Sequence, residues 1–378
     1  MPSTIGVRQG SCEGPALFLF IMQAAIETAE WPVDKPQFCT AEIGPITGAK
    51  TNRKKDIIDF DFWASLFADD CGLLFNTRLD MITGANYLYH HLRRFGLLMH
   101  IGTGEGDDKV ASKTEAVFFH GPRKTQDDGD TSDFDVAHGF VSFTDEFKYL
   151  GALIHNSLTS DADVNARISK ATAAFGALRK CFFSKKDITL QDKGTVYIAL
   201  CISVLLYGSE SWCLTEKLYN RLRTFHNKCA RAMCRISMHT TIKYRIKSAN
   251  LFARLKIKNL DHYYNTRLLR WAGHVARMPM HRLPRKLLTG WVQHKRPVGG
   301  HQMNFGRTLN KALTSAKISN SFETWHTLAQ NRENWRFRSY NKTNKNKNKN
   351  KTQTPHYDAV RTYNLRSSTP TYVNRYLV

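Results

Sequence analysis

Short apolar runs broken by turn residues dominate the chain up to about residue 151, and long stripes at helical spacing follow it. Pro15 is tolerated only in the first turn of a helix, so Pro15-Ala16-Leu17-Phe18-Leu19-Phe20-Ile21-Met22 predicts a helix beginning near Gly14 and apolar nearly all round. Residues 31–56, rich in Pro, Gly, Thr and Lys, predict irregular structure. Two apolar runs, Phe60 to Phe67 and Cys71 to Phe75, flank Ala68-Asp69-Asp70 and predict a β-hairpin with an acidic turn. A helix is expected over 80–98 and a strand from Lys113-Thr114-Glu115 through Phe119. Asp127-Asp128-Gly129-Asp130 reads as a solvated loop, and Phe147-Lys148-Tyr149-Leu150-Gly151 as a short strand and turn.

The second half reads as mainly helical. Ser160 followed by Asp163 has the form of a capping box, and the helix it would start carries Val164, Ile168, Ala171, Phe175 and Leu178 as one stripe. The run Val196 to Tyr207 reads as a buried helix, being shorter than the ~20 residues that cross a bilayer. Leu218, Leu222, Phe225, Cys229, Ala232 and Ile236 form a second stripe, with Lys217, Arg221, Lys228, Arg231 and Arg235 as a basic stripe beside it. A third helix carries Ile257, Leu260, Tyr264, Leu268, Trp271, Val275 and Met278, with Arg267, Arg270 and Arg277 on other faces. From Ser339 the composition changes. Asn and Lys alternate from Asn344 to Lys351, a tract that cannot bury apolar surface and predicts disorder. It reads either as a localisation signal or as a neutral repeat.

Charge sharpens this division. The 378 residues hold 55 Lys+Arg against 32 Asp+Glu, a net +23, with 42 % hydrophobic residues. That apolar share builds a core and excludes bulk disorder, and the length suits two or three domains. Residues 1–150 carry 14 basic and 22 acidic side chains, a net of −8, whereas residues 151–378 carry 41 and 10, a net of +31. One half supplies carboxylates and the other a grip for a polyanion, nucleic acid being the first candidate. Eight cysteines without a Cys-x-x-Cys pair indicate neither a disulfide framework nor a zinc ribbon, and fit a reducing, intracellular compartment. Met1 to Arg8 has no apolar stretch of signal-peptide length, and no membrane partner is expected.

Asp69 and Asp70 carry the sharpest chemistry. Consecutive carboxylates at a hairpin tip can converge on one or two hard divalent cations, as nucleotidyl transfer requires; an acidic turn exposed to water is the bland alternative. The basic stripe from Lys217 to Arg235 could track a duplex backbone, giving affinity without sequence preference, or be a solvated face. His226, Cys229, Cys234 and His239 have spacing superficially like zinc ligands. Cys229, however, lies on the apolar stripe, and a core cysteine with ordinary histidines is the simpler reading.

Arg8-Gln9-Gly10 opening an apolar helix, Phe67-Ala68-Asp69-Asp70 between strands, Lys113-Thr114-Glu115 and Tyr149-Leu150-Gly151 occur in one order. This ordered set resembles the palm of reverse transcriptases encoded by non-LTR (LINE-like) retrotransposons. The resemblance continues more loosely through Leu205-Leu206-Tyr207-Gly208-Ser209-Glu210-Ser211-Trp212, Leu269-Arg270-Trp271-Ala272-Gly273-His274-Val275 and Trp335-Arg336. It implies an RNA-directed DNA polymerase using Mg²⁺ or Mn²⁺ held by Asp69 and Asp70. An RNA template, a primer strand and deoxynucleoside triphosphates are the implied partners. Arg8, Gln9, Gly10 and Phe67 would then lie against the templating base and incoming nucleotide. Lys113 would serve the phosphates, or be an ordinary strand-edge lysine. Tyr149, Leu150 and Gly151 would support the primer end, or only pack.

The implied fold is α+β: a partial right-hand palm over 1–151, with a small antiparallel sheet backed by helices. A helical thumb-like region (152–238), a basic helical region (239–338) and a low-complexity tail (339–378) follow. The pattern is incomplete, because the family's third carboxylate lies upstream of the Arg-Gln-Gly loop and none of the seven residues before Arg8 is acidic. The chain is therefore expected to be the carboxyl-terminal part of a longer polymerase, lacking the fingers and inactive or nearly so alone. A non-catalytic nucleic-acid-binding relic and a group II intron maturase-like polymerase are the alternatives.

Overall fold

A computed structural model describes residues 12–42, 57–104, 108–119, 130–290 and 303–340. Arg8, Gln9, Gly10 and the Asn344–Lys351 tract lie outside the described residues. Helix α1 (Gly14–Glu27) starts where Pro15 places it. Its Met22 and Ala25 meet Leu88 and Leu92 of α2 (Arg78–Arg93), while Leu17, Leu19, Phe20 and Ile21 remain exposed among the described residues. Helix α2 is capped by Thr77, whose Oγ1 accepts the Asp80 N–H at 3.1 Å.

Among the described residues the strands form four small sheets. Strands β1 (Gln37–Thr40) and β2 (Ile58–Asp61) pair antiparallel, with Phe38 opposite Phe60 and their rings 5.8 Å apart. β1 therefore corrects the irregular reading of 31–56: four residues give too little alternation to show a strand, and its partner lies some twenty residues on. Strands β3 (Ala64–Phe67) and β4 (Asp70–Leu73) form the acidic hairpin. The expected strand at 113–119 shrinks to β5 (Glu115–Ala116), which runs parallel to β7 (Gly139–Phe143); β6 (Phe134–Val136) flanks β7 on its other edge. Ala85 on the other side of α2 packs against Phe134, Val136 and Val141, so this helix joins α1 to the three-stranded sheet. Strands β8 (Glu146–Tyr149) and β9 (Ala152–His155) form a last hairpin.

From α3 (Asp161–Leu178) onward the fold is helical around a single core running from Val164 to Trp335. Helix α4 (Leu190–Val196) continues through a π-helical stretch, Tyr197–Ile202, into α5 (Ser203–Leu205), burying Tyr197, Cys201, Ile202 and Leu205. Leu218 and Leu222 of α6 (Glu216–Met233) are fully buried, each worth roughly 1.5–3 kcal/mol of transfer free energy. The short helices α7 (Met238–Lys243) and α8 (Ser248–Leu255) lead to α9 (Leu260–Ala276), where Leu260, Tyr264, Leu268 and Val275 are buried. Helices α10 (Leu283–Leu288), α11 (Phe305–Ser315), α12 (Phe322–Gln330) and α13 (Arg332–Tyr340) complete the order. No helix of the described residues is long and apolar enough to cross a membrane.

Two local expectations are corrected. Ser160 makes no side-chain cap; its Oγ accepts the Cys213 N–H at 3.1 Å, and Asp163 turns into the core instead. Helix α6 does not run through Ile236. It stops in a Schellman turn, Ile236 N donating to Arg231 O at 3.0 Å and Arg235 N to Ala232 O at 3.1 Å, with Arg235 left-handed at φ 58°. Arg235 is thereby removed from the helical basic stripe. Off the apolar stripe of α9, Arg267 donates to Leu206 O at 2.9 Å, and past the helix end Arg277 donates to Ala329 O at 2.7 Å.

Candidate active-site cleft and nucleic-acid interface

The hairpin tip is built from a two-residue turn, Ala68-Asp69, between the cross-strand partners Phe67 and Asp70. Ala68 is left-handed at φ 54°, a conformation costing a non-glycine residue about 1–2 kcal/mol that the flanking ladder must hold in place. Asp69 and Asp70 are both exposed, and Phe67 is 62 % exposed beside them. Burial pushes the Cys71 thiol up, and the negative charges of Asp70 and then Asp69 push it the same way.

Hairpin β8–β9 faces this tip. Its turn residues Leu150 (φ 47°) and Gly151 (φ 81°) are both left-handed, the geometry that matches strand twist in a two-residue hairpin. A side chain on Gly151 would be strained by this left-handed backbone, although it would only touch the Tyr207 ring. Tyr149 latches the two hairpins together, its Oη hydrogen-bonded to the carbonyl and the hydroxyl of Ser65 at 3.1 and 3.0 Å. Between them opens a cleft of about 730 Å³, lined by Phe67, Asp70, Lys148, Leu150, Gly151 and Tyr207. Asp69 stands in the turn, outside this lining. Lys113 stands in the loop ahead of β5, exposed and likewise outside it.

Behind the cleft lies a buried polar network that sequence reasoning missed. Arg167 donates through Nη2 to Gly151 O, and its guanidinium lies 4.4 Å over the Tyr207 ring. Tyr207 Oη donates to Leu150 O at 2.9 Å. Asp163, 4 % exposed, accepts the Trp212 indole N–H at 2.7 Å and the Leu153 N–H at 3.2 Å, with Arg167 Nε 3.4 Å away as an ion pair. Asp163 and Arg167 of α3, together with Tyr207, thus fasten the β8–β9 hairpin to the helical half. The signal available was Asp163 and Arg167 four apart beside an apolar stripe; Lys148 offered none beyond its place next to Tyr149.

Two adjacent carboxylates suit a hard divalent cation that keeps most of its water and binds substrate phosphates. Among the described residues no three His, Cys, Asp or Glu side chains gather as a metal site. On these residues alone, Asp69 and Asp70 could hold such an ion only with water and substrate phosphates filling the rest of its shell. His226 is unavailable as a ligand because both its ring nitrogens are engaged, with Tyr197 Oη and Lys258 O, each at 3.0 Å. Burial pushes its imidazole down to about 4.

Helix α6 carries Lys217, Arg221 and Lys228 exposed on one face, with Arg231 half-buried beside them and Arg235 exposed just past the helix end. The acids bounding this region are already taken: Arg223 pairs with Glu216 at 2.9 Å and with Asp261 at 2.7 Å. Residues 217–260 hold twelve Lys+Arg and no Asp or Glu. The result is an uncompensated positive surface that a polyanion would neutralise.

No family model matches the chain, and no solved structure matches it. It is 26 % identical over 274 residues to an uncharacterised transposon-derived protein of Caenorhabditis elegans, covering 71 % of this chain and 92 % of the relative. It is 27 % identical over 152 residues to a probable RNA-directed DNA polymerase from a transposon of Drosophila melanogaster, covering 37 % of this chain. That match spans 16 % of the Drosophila protein's own length. This mixed α+β chain is therefore related to transposon-derived proteins, one of them named for RNA-directed DNA synthesis.

Proposed function

We propose that the chain supplies the acidic hairpin and the template–primer grip of a retrotransposon RNA-directed DNA polymerase. One observation carries the reading: Phe67 and Asp70 of the acidic hairpin share a cleft with Lys148, Leu150, Gly151 and Tyr207, the hairpins being latched by Tyr149. In this reading Asp69 and Asp70 hold a Mg²⁺ or Mn²⁺ ion, which when bound polarises nucleotide phosphates and the attacking hydroxyl. Lys148 meets phosphate charge at the cleft, and the Leu150-Gly151 turn seats the primer end. Gln9 and its neighbours Arg8 and Gly10 are assigned to the nucleotide. Lys217, Arg221, Lys228 and Arg231 track the duplex behind it.

A specific observation favours a second reading for the isolated chain. With no third ligand gathered at Asp69 and Asp70 among the described residues, a non-catalytic nucleic-acid-binding protein is the alternative. Primer extension on an RNA template, with Mg²⁺ or Mn²⁺, separates them. The polymerase reading expects trace incorporation that Asp70→Asn abolishes, together with weak Mn²⁺ binding that Asp69→Asn and Asp70→Asn each remove. Metal binding unaffected by both substitutions would overturn the assignment of the site.

A further inference from the structure

Between Ile236 and Ile246 the chain leaves the core. Helix α7 buries none of its residues, yet it is fixed at both ends. Ile236 and Ile246 pack against the core on either side, and Ser237 Oγ accepts the Thr240 N–H at 3.0 Å. A second Schellman turn closes it, Arg245 N donating to Ile242 O at 3.1 Å and Ile246 N to Thr241 O at 3.0 Å. Six residues do not sustain a helix by propensity, so these anchors are what hold it out from the surface.

What it holds out is unusual for a solvated loop. Met238 is 57 % exposed, and Ile242 and Tyr244 are each 66 % exposed. Met238 and Ile242 lie one turn apart on one helix face. Around them Arg235, Lys243, Arg245 and Lys247 are exposed, and Lys243 Nζ lies 5.6 Å from the Tyr244 ring centroid. We propose that this excursion, Arg235 to Lys247, is a contact for single-stranded nucleic acid, with Tyr244 as a stacking platform for an unpaired base. Met238 and Ile242 form its apolar shoulder, and the four cations hold the flanking phosphates.

Unstacked bases need aromatic and apolar faces set among cations. A duplex hides its base faces and would use the cations alone, leaving Tyr244 and Ile242 without a purpose. Anionic lipid also meets basic residues with an apolar shoulder, but binding to it scales with buried apolar area, and the excursion offers three such side chains, Met238, Ile242 and Tyr244. The surface continues through Arg235 into the α6 face assigned above to the duplex. The proposal rests on that reading only for the origin of the strand, namely template or primer running off the duplex.

The full chain is titrated against a labelled oligothymidylate of about 20 nucleotides, long enough for one site, and against a blunt duplex of similar length. Tyr244→Ala should weaken oligothymidylate binding about fivefold or more while duplex binding stays within about twofold. Ile242→Ser should act in the same direction, and unchanged circular dichroism shows that these exposed substitutions leave the fold intact. Lys243→Gln with Lys247→Gln should lower the salt dependence on the single strand by ~0.7 per charge. The proposal is overturned by unchanged single-strand affinity in Tyr244→Ala, or by equal losses on both probes. It is equally overturned if Tyr244→Ala abolishes binding to phosphatidylserine vesicles, or self-association by sedimentation, and spares the oligonucleotide. Combined Lys217→Gln, Arg221→Gln and Lys228→Gln tests the duplex face separately, so its failure leaves the single-strand result standing.

Discussion

Asp163→Ala removes the acid at the centre of the network behind the cleft. Asp163 and Arg167 are 4 % and 6 % exposed, so the guanidinium left behind cannot recover its hydration. The Trp212 indole N–H and the Leu153 N–H lose their acceptor at the same time. Breaking a buried pair in this way costs about 3–5 kcal/mol, most of it the uncompensated charge. Orphaned donors of this kind cost about 1–3 kcal/mol each, so the upper end of that range is expected. Removing both charges with Asp163→Leu and Arg167→Met should recover a large part of the loss, because the buried cation is gone. Urea unfolding followed by circular dichroism reads the midpoints, with the slope checked for constancy. A single-mutant cost below about 1 kcal/mol, or a double-mutant cost equal to the sum of the singles, would refute the network.

Further outcomes follow from the same geometry. The unfolded chain takes up a proton at His226 near pH 6.5, whereas the folded chain refuses it until about pH 4. Unfolding therefore binds protons in that window: the stability is fully present above 6.5 and falls as pH drops towards 4, by about 3 kcal/mol in all. His262 and His326, both also lowered by burial, act in the same direction. Urea midpoints measured across this range should flatten in His226→Gln, and parallel profiles for the two proteins would sink the assignment. Gly273→Ala should destabilise by about 1–3 kcal/mol, since an added methyl would drive into the Trp335 indole, itself held by Leu269 O at 2.9 Å; thermal unfolding measures it. Tyr149→Phe should cost about 1 kcal/mol, and a double-mutant cycle with Ser65→Ala should show coupling if the latch between the hairpins is real.

Much of the local structure was legible. Pro15 marked the start of α1, the apolar runs around Ala68-Asp69-Asp70 marked their hairpin, and the stripes of α3, α6 and α9 marked the buried faces. Each is a pattern within a dozen or so residues, where backbone geometry translates spacing directly into a face. The errors were also local in origin. Ser160 and Asp163 have the spacing of a cap, but both side chains found partners some fifty residues away. Arg235 keeps helical phase in the sequence but is the left-handed residue of a Schellman turn, a stop made without glycine.

Which residues could be acid, cation or core, and the uneven charge that sets one half against the other, follow from the order of amino acids alone. Which of them meet was settled by the packed fold. It brought Asp70 to Lys148 and Tyr207, sent Lys113 elsewhere, and set Trp335 against Gly273 across an interval of more than sixty residues. Spacing along a chain specifies direction within one element; the partner across the cleft or the core is chosen by packing, burial and the need to satisfy polar groups removed from water.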